Sequence, residues 1–216
     1  MGGRGVLKHP KHPWCAALDR YPAAFEDCVA ILRWIRREHP GALISLGGFS
    51  AGATLALTAA HKLRDEVAAV VAFYPAMNFS AESDNSFPEE NPYIRNLFHQ
   101  AYLLGRPADL KDPCLSPSYA TSETLPRHVA LLAGAIDPNI RDMEKFIGEM
   151  ERARPQGTAA ATAPFFVGKV FAGAFHGWNY LPDWVLGKSS AAASMRPTLS
   201  PSPPSQRDLW PKHDLS

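Results

Sequence analysis

The stretch Gly47-Gly48-Phe49-Ser50-Ala51-Gly52-Ala53 limits what this chain can fold into more than any other. An apolar run, Ala42-Leu43-Ile44-Ser45-Leu46, leads into it, and a small-residue run of helical character, Ala51 to Lys62, leads out. A serine in a G-x-S-x-G turn between a strand and a helix sits in a strained conformation at the top of a sheet, where a base and a substrate can both reach its hydroxyl. On that reading Gly48 and Gly52 are glycines because neighbouring backbone passes where a Cβ would stand. The N–H of Ala51, at the helix N-terminus, points to where negative charge would develop. A glycine-flanked turn carrying a solvated serine has the same five letters, so the rest of the chain must decide.

Taken in order, residues 1–20 are rich in Gly, Lys, His and Pro and lack periodicity, with at most a short strand at Val6-Leu7. Tyr21 to Glu38 reads as a helix: Pro22 suits its first position, and Phe25, Cys28, Val29 and Leu32 form one apolar stripe. Ala42 to Leu46 is a near-continuous apolar strand, the pattern of a strand covered on both faces. Val67 to Tyr74 is a second strand, ended by Pro75. Strand, helix and strand with short connections predict a right-handed parallel crossover. Residues 78–125 form a mixed insertion with a helix-like run at Tyr93 to Leu104, read as a cap over a site or a surface excursion. His128 to Ala133 is a third strand, ending in Gly-Ala-Ile-Asp137-Pro138. Asp142 to Arg152 is a helix whose Met143, Phe146, Ile147 and Met150 are core positions. Arg154 to Pro164 is a linker, Phe165 to Phe171 a fourth strand, and His176 stands just beyond it. From residue 187 the chain turns Ser-, Ala- and Pro-rich, which predicts a disordered tail over 187–216.

Composition excludes several classes. A net charge of +1 and the absence of a basic, aromatic-interleaved patch argue against a nucleic-acid partner. No apolar run approaches a membrane span, and the N-terminus has no apolar segment of secretory type. Three widely spaced cysteines, Cys15, Cys28 and Cys114, make neither a zinc pattern nor a disulfide framework and favour a reducing, cytoplasmic location. His9 and His12 read as loop histidines rather than ligands, so no metal site is expected.

Ser50, Asp137 and His176 each follow a predicted parallel strand at one sheet edge, where ligands bind in open α/β sheets. Their chain order, Ser, Asp, His, is that of an α/β-hydrolase triad. In such a triad the imidazole takes the serine proton, and the carboxylate fixes its tautomer and stabilises the imidazolium. Further segments carry a family resemblance: Tyr-Pro-Ala-Ala-Phe-Glu-Asp at 21–27, Gly-Gly-Phe-Ser-Ala-Gly at 47–52, Asp-Pro-Cys-Leu-Ser-Pro at 112–117, Leu-Pro at 125–126, Ala-Gly-Ala-Ile-Asp-Pro at 133–138 and Phe-His-Gly-Trp at 175–178. The chain resembles the alpha/beta-hydrolase fold-3 group, the hormone-sensitive-lipase-like esterases and lipases. The resemblance implies a partial alpha/beta-hydrolase fold over residues 21–186: a mostly parallel sheet flanked by helices, with the 78–125 insertion as a small cap. It implies hydrolysis of small carboxylic esters of short to medium acyl length, with Ser50 as nucleophile, Asp137 as acid and His176 as base. Gly48, Phe49 and Ala51 would line the oxyanion and substrate side, without metal or organic cofactor.

The chain departs from that group in three ways. Phe49 stands where the group usually has Asp, which predicts a more apolar wall beside the site. The upstream His-Gly-Gly-Gly loop that supplies most of the oxyanion hole has no counterpart here, Gly2-Gly3 lying too near the start. The sheet has fewer strands than the group's, so the 42–46 strand is expected to be an exposed apolar edge, and a shortened or wrongly spliced form of a longer hydrolase is expected. With the Ala51 N–H as the remaining donor, activity should fall by about 10²–10³ for each donor lost. The alternative reading is a hydrolase-fold remnant that binds a ligand or partner without turnover. An amide hydrolase or peptidase would use the same triad.

Overall fold

The computed structural model describes residues 20–80, 82–83, 101–103, 109–153 and 165–180. The described elements run α1 (Ala23–Glu38), β1 (Ser45–Phe49), α2 (Ala51–Lys62), β2 (Ala69–Phe73), β3 (His128–Gly134), α3 (Ile140–Arg152) and β4 (Phe165–Phe171). Short 3-10 turns lie at Arg64–Glu66, Pro117–Tyr119 and Trp178–Tyr180. The four strands form one sheet in the order β1-β2-β3-β4, every pair parallel. Each strand is therefore reached by a crossover, and the carboxyl ends of all four point to one edge. The predicted strand at Val6-Leu7, most of the 93–104 helix, the 154–164 linker and the 187–216 tail lie outside the described residues; residues 101–103 are helical.

The apolar stripes predicted for two helices are buried. Phe25, Val29 and Leu32 of α1 face inward, with Cys28 half-buried beside them. All four predicted core positions of α3, Met143, Phe146, Ile147 and Met150, are buried. α2 is buried along much of its length, as its small side chains allow: Ala53, Ala56, Leu57, Ala59 and Ala60 are core.

One row of residues shows where the helices sit. Register pairs Gly48 with Ala72, Ala72 with Leu131, and Leu131 with Gly168, so these four project from the same face. A Cβ on Gly48 would stand 2.3 Å from the Gly52 carbonyl oxygen of α2, and one on Gly168 would stand 2.4 Å from Ile147 Cγ2 of α3. Both helices press on that face, and glycine at each end of the row lets them come close. The other face carries Phe49, Val71 and Phe165, which are 39%, 39% and 51% exposed. Among the described residues the helices cover one face of the sheet, which corrects the expectation that the apolar strand near residue 44 is covered on both.

The same strand also begins later than predicted, at Ser45 instead of Ala42. The first residues of the apolar run belong to the exit from α1. The Ala42 N–H donates to the His39 carbonyl at 3.1 Å, and Arg36 Nη1 donates to the Ala42 carbonyl at 2.9 Å. The other guanidinium nitrogen of Arg36 donates to the Glu66 carbonyl, tying this turn to the one before β2. β1 thus runs through Gly47-Gly48 to Phe49, directly into the serine. It lies at an edge of the described sheet, as expected, but as Ser-Leu-Gly-Gly-Phe it is a less apolar edge than 42–46 would have been.

The described ends of the 78–125 insertion fold back on each other. Ser116 Oγ accepts the Phe79 N–H at 3.0 Å and donates to the Leu110 carbonyl at 2.7 Å, and the Ser118 N–H reaches the Met77 carbonyl at 2.9 Å. Leu115, Ala120 and Leu125 are buried there.

Candidate functional site

The site is built at the carboxyl edge from three strand ends. Ser50 follows β1 with φ +52° and ψ −122°, a conformation that costs a non-glycine residue roughly 1–3 kcal/mol and persists only under constraint. The constraint is visible on both sides. The Ser50 N–H donates to the Phe73 carbonyl at 3.0 Å, carrying the β1–β2 ladder one residue past the strand. The Ser50 carbonyl accepts the Ala53 and Thr54 N–H groups at 3.0 and 3.1 Å, opening α2. Thr54 Oγ1 then exchanges hydrogen bonds with the Ala76 N–H and carbonyl, both at 3.0 Å, anchoring α2 to the segment after β2.

Gly48 bears out its expected role, because a Cβ there would collide with Gly52 backbone. Gly52 does not, since a Cβ on it would meet nothing within 4 Å. The steric demand of the turn falls on the first glycine alone, as the second faces open space.

Asp137 lies in the turn between β3 and α3 and is 2% exposed. Its Oδ1 accepts the Asn139 N–H at 2.8 Å, and its Oδ2 is 2.8 Å from His176 Nδ1. His176 Nε2 is in turn 2.8 Å from Ser50 Oγ. A carboxylate can only accept, so Nδ1 carries the ring proton and Nε2 is left to accept the Ser50 hydroxyl proton. The structure therefore brings Ser50, His176 and Asp137 into one hydrogen-bonded chain across 126 residues of sequence. A serine, imidazole and carboxylate linked in this way can pass a proton from hydroxyl to imidazole while the buried carboxylate offsets the new positive charge.

His176 stands on a loop, and the loop is brought to Asp137 by a close backbone crossing. The Ile136 N–H donates to the Ala174 carbonyl at 2.8 Å and the Ala135 N–H to the Phe171 carbonyl at 3.0 Å. Gly134 makes this possible: a Cβ there would lie 2.4 Å from the Ala174 carbonyl oxygen. The loop uses left-handed backbone at Gly173 and Gly177, with φ of +71° and +79°.

Of the other residues singled out from sequence, Ala51 is exposed as the first residue of α2. Its N–H is among the first four of the helix, which have no partner inside it. Phe49 points away from α2 and meets Phe73 at a ring-centroid distance of 4.8 Å, tilted, and Tyr180 at 5.2 Å, edge to face. It joins the serine strand to the histidine loop. Sequence reasoning missed Tyr74 and Asn179. Tyr74 is fully buried, its ring lies 4.8 Å from the His176 ring, and its hydroxyl donates to Asn179 Oδ1. Tyr74 gave no signal beyond preceding Pro75, and Asn179 gave none. Among the described residues no group of three His, Cys, Asp or Glu side chains could hold a metal ion, and no helix is long and apolar enough to cross a membrane.

The sequence profile of a family described as alpha/beta hydrolase fold matches residues 15–163, well over half of the chain. The chain belongs to the alpha/beta-hydrolase fold family. Its architecture is similar to that of solved esterases. One is a hyperthermophilic esterase from the archaeon Pyrobaculum calidifontis, with TM-score 0.57 and 23% identity over 74% of this chain and 54% of that one. Another is carboxyl esterase 2 from the mycorrhizal fungus Tuber melanosporum, with TM-score 0.61 and 20% identity over 82% of this chain and 60% of that one. A third is a thermostable esterase from Pseudomonas putida, with TM-score 0.60 and 19% identity over 82% and 57%. The chain thus spans 54% to 60% of the length of these neighbours. A search of curated protein sequences gave no match.

Proposed function

We propose that this alpha/beta-hydrolase unit cleaves small carboxylic esters through an acyl-enzyme on Ser50. The observation that carries the reading is the continuous Ser50 Oγ–His176 Nε2–His176 Nδ1–Asp137 Oδ2 chain, 2.8 Å at each hydrogen bond, with a strained serine at its head. Ser50 Oγ attacks the ester carbonyl carbon while Nε2 takes its proton. The carbonyl oxygen becomes an oxyanion beside the Ala51 N–H at the positive end of α2. Collapse breaks the bond to the alkoxide, which takes the proton from Nε2 and departs as the alcohol. Water then gives a proton to Nε2 and its oxygen to the acyl carbon, and the acid leaves as Ser50 regains its proton. Asp137, buried with its second oxygen held by the Asn139 N–H, keeps the imidazole in the tautomer that this sequence of steps requires.

In this reading the Ala51 N–H is the oxyanion donor that the described site supplies, and the sequence shows no His-Gly-Gly-Gly loop. Each donor missing from such a site costs about 10²–10³ in turnover. That same sequence feature favours a second reading, a hydrolase-fold module that binds without turnover. The 78–125 insertion is assigned to covering the acyl pocket. Free Cys28 and Cys114 support a cytoplasmic location.

The test is labelling of the purified protein with a fluorophosphonate, which reports an activated serine without requiring the right substrate. Wild type should label, and Ser50→Ala and His176→Ala should stay dark. A p-nitrophenyl ester series set beside the matching anilides then separates ester from amide cleavage. A folded wild type that does not label gives the lead to the binding module.

A further inference from the structure

The hydrogen-bonded chain leaves one question open: what holds the imidazole in line. His176 is flanked by Gly173 and Gly177, both in left-handed backbone, and glycine is the residue with the widest choice of alternative conformations. The neighbouring Phe175, Asn179 and Tyr180 are exposed. Such a loop needs anchors from outside itself.

Tyr74 supplies them. Its main chain is fixed by an N–H bond to the Leu132 carbonyl at 2.7 Å, one residue beyond β2. Its φ is +41°, an uncommon conformation for a bulky side chain and a genuine outlier. That conformation aims the ring under the histidine loop, where it meets three nearby residues. It lies 4.8 Å from the His176 ring, 5.0 Å edge-on to Trp178, and bonds through its hydroxyl to Asn179 Oδ1. Tyr74 thus spans the gap between a rigid strand end and both sides of the loop's second glycine.

We propose that Tyr74 and Asn179 form a latch that positions the His176 imidazole between Ser50 and Asp137. Both are positioning residues: neither touches the reacting atoms, and both act through His176. The inference rests on the hydrolase reading above. Burial, aided by the nearby Tyr180, pushes the Tyr74 phenol up to about 12. The hydroxyl therefore remains a donor at every pH at which a triad of this kind works. Phe49, edge to face with Tyr180, steadies the same loop from the serine strand.

The test compares Tyr74→Phe, which keeps the ring, with Asn179→Ala at an exposed position, the double variant, and Asn179→Asp, which keeps an acceptor oxygen. Two readouts are taken, the second-order rate of fluorophosphonate labelling and the nuclear magnetic resonance signals of the His176 ring. Each single loss should slow labelling by roughly tenfold, the size of one hydrogen bond or a small misplacement. The double variant should be no slower than either single, and Asn179→Asp should label near the wild-type rate. The His176 ring signals should be narrow in wild type and Asn179→Asp, and broadened in the other three. Wild-type labelling rates and ring signals in both single variants would overturn the latch, as would effects that multiply in the double. A wild type that does not label but keeps narrow ring signals that the variants broaden would sink the hydrolase reading and leave the latch standing.

Discussion

Ser50 and His176 stand 2.8 Å apart but are placed by different means. The serine elbow is set by regular structure: a strand ladder on one side, the first turn of a helix on the other, and a glycine that lets the helix pass. Most of it lies within a few residues of Ser50, the ladder partner on β2, the Phe73 carbonyl, being the exception. The histidine loop has no such frame. Its position is the sum of a backbone crossing at Gly134, a buried Trp178 and the Tyr74–Asn179 bond, which joins positions 105 residues apart. One half of the site is therefore a property of a local segment, and the other a property of the folded core. Damage to the first should cost fold and chemistry together, whereas damage to the second should cost chemistry first.

Substitutions at the two tight glycines sharpen this contrast. Gly48→Ala forces a Cβ to within 2.3 Å of backbone that belongs to α2, and neither strand nor helix can give way. We expect the largest effect here: roughly 3 kcal/mol or more of stability lost in urea unfolding, at the upper end for overpacking, and no fluorophosphonate labelling. Gly134→Ala creates a similar overlap, 2.4 Å, against the Ala174 carbonyl, but on a loop that can shift. Labelling should fall about 100-fold, the order expected for an ångström of misplacement, with a stability loss of roughly 1–2 kcal/mol. If the two variants lost stability equally, the division between a rigid elbow and an adjustable loop would fail.

The smallest effect is read with pH. Tyr21, Tyr74 and Tyr102 are each pushed from 10.0 up to about 12, with burial the largest cause. The unfolded chain releases these protons near pH 10 and the folded chain holds them to about 12, so stability falls as pH rises through that window. Tyr74, fully buried, contributes to that slope. Denaturant melts from pH 9 to about 12 should show a shallower loss in Tyr74→Phe than in wild type. Equal slopes would mean that the phenol is not held protonated beneath the loop.

The same contrast explains what could be read in advance. The stripes of α1 and α3, the strands β3 and β4, and the edge at which Ser50, Asp137 and His176 meet all follow from periodicity and from glycine and proline punctuation. These signals are local. The start of β1 was misplaced by three residues because apolarity does not distinguish a strand from the turn that enters it. Arg36, a surface-looking helix residue, is what claims Ala42 for the turn. The uncovered sheet face was likewise hidden, since Val71 sits in a run, Ala69–Phe73, that looks the same whether one or both faces are packed. Asn179 was invisible for a stricter reason: its partner, Tyr74, lies just beyond β2, and no spacing within 175–180 encodes it.

The uncovered face also has a calorimetric meaning. Heat capacity rises on unfolding because apolar surface passes from the interior into water. Phe49, Val71 and Phe165 are already partly hydrated in the folded chain and have less surface left to expose. The described residues thus form a two-layer unit with a smaller heat-capacity step than a sheet packed on both sides would give. Its stability curve is correspondingly flatter, with less difference between its behaviour when cold and when warm.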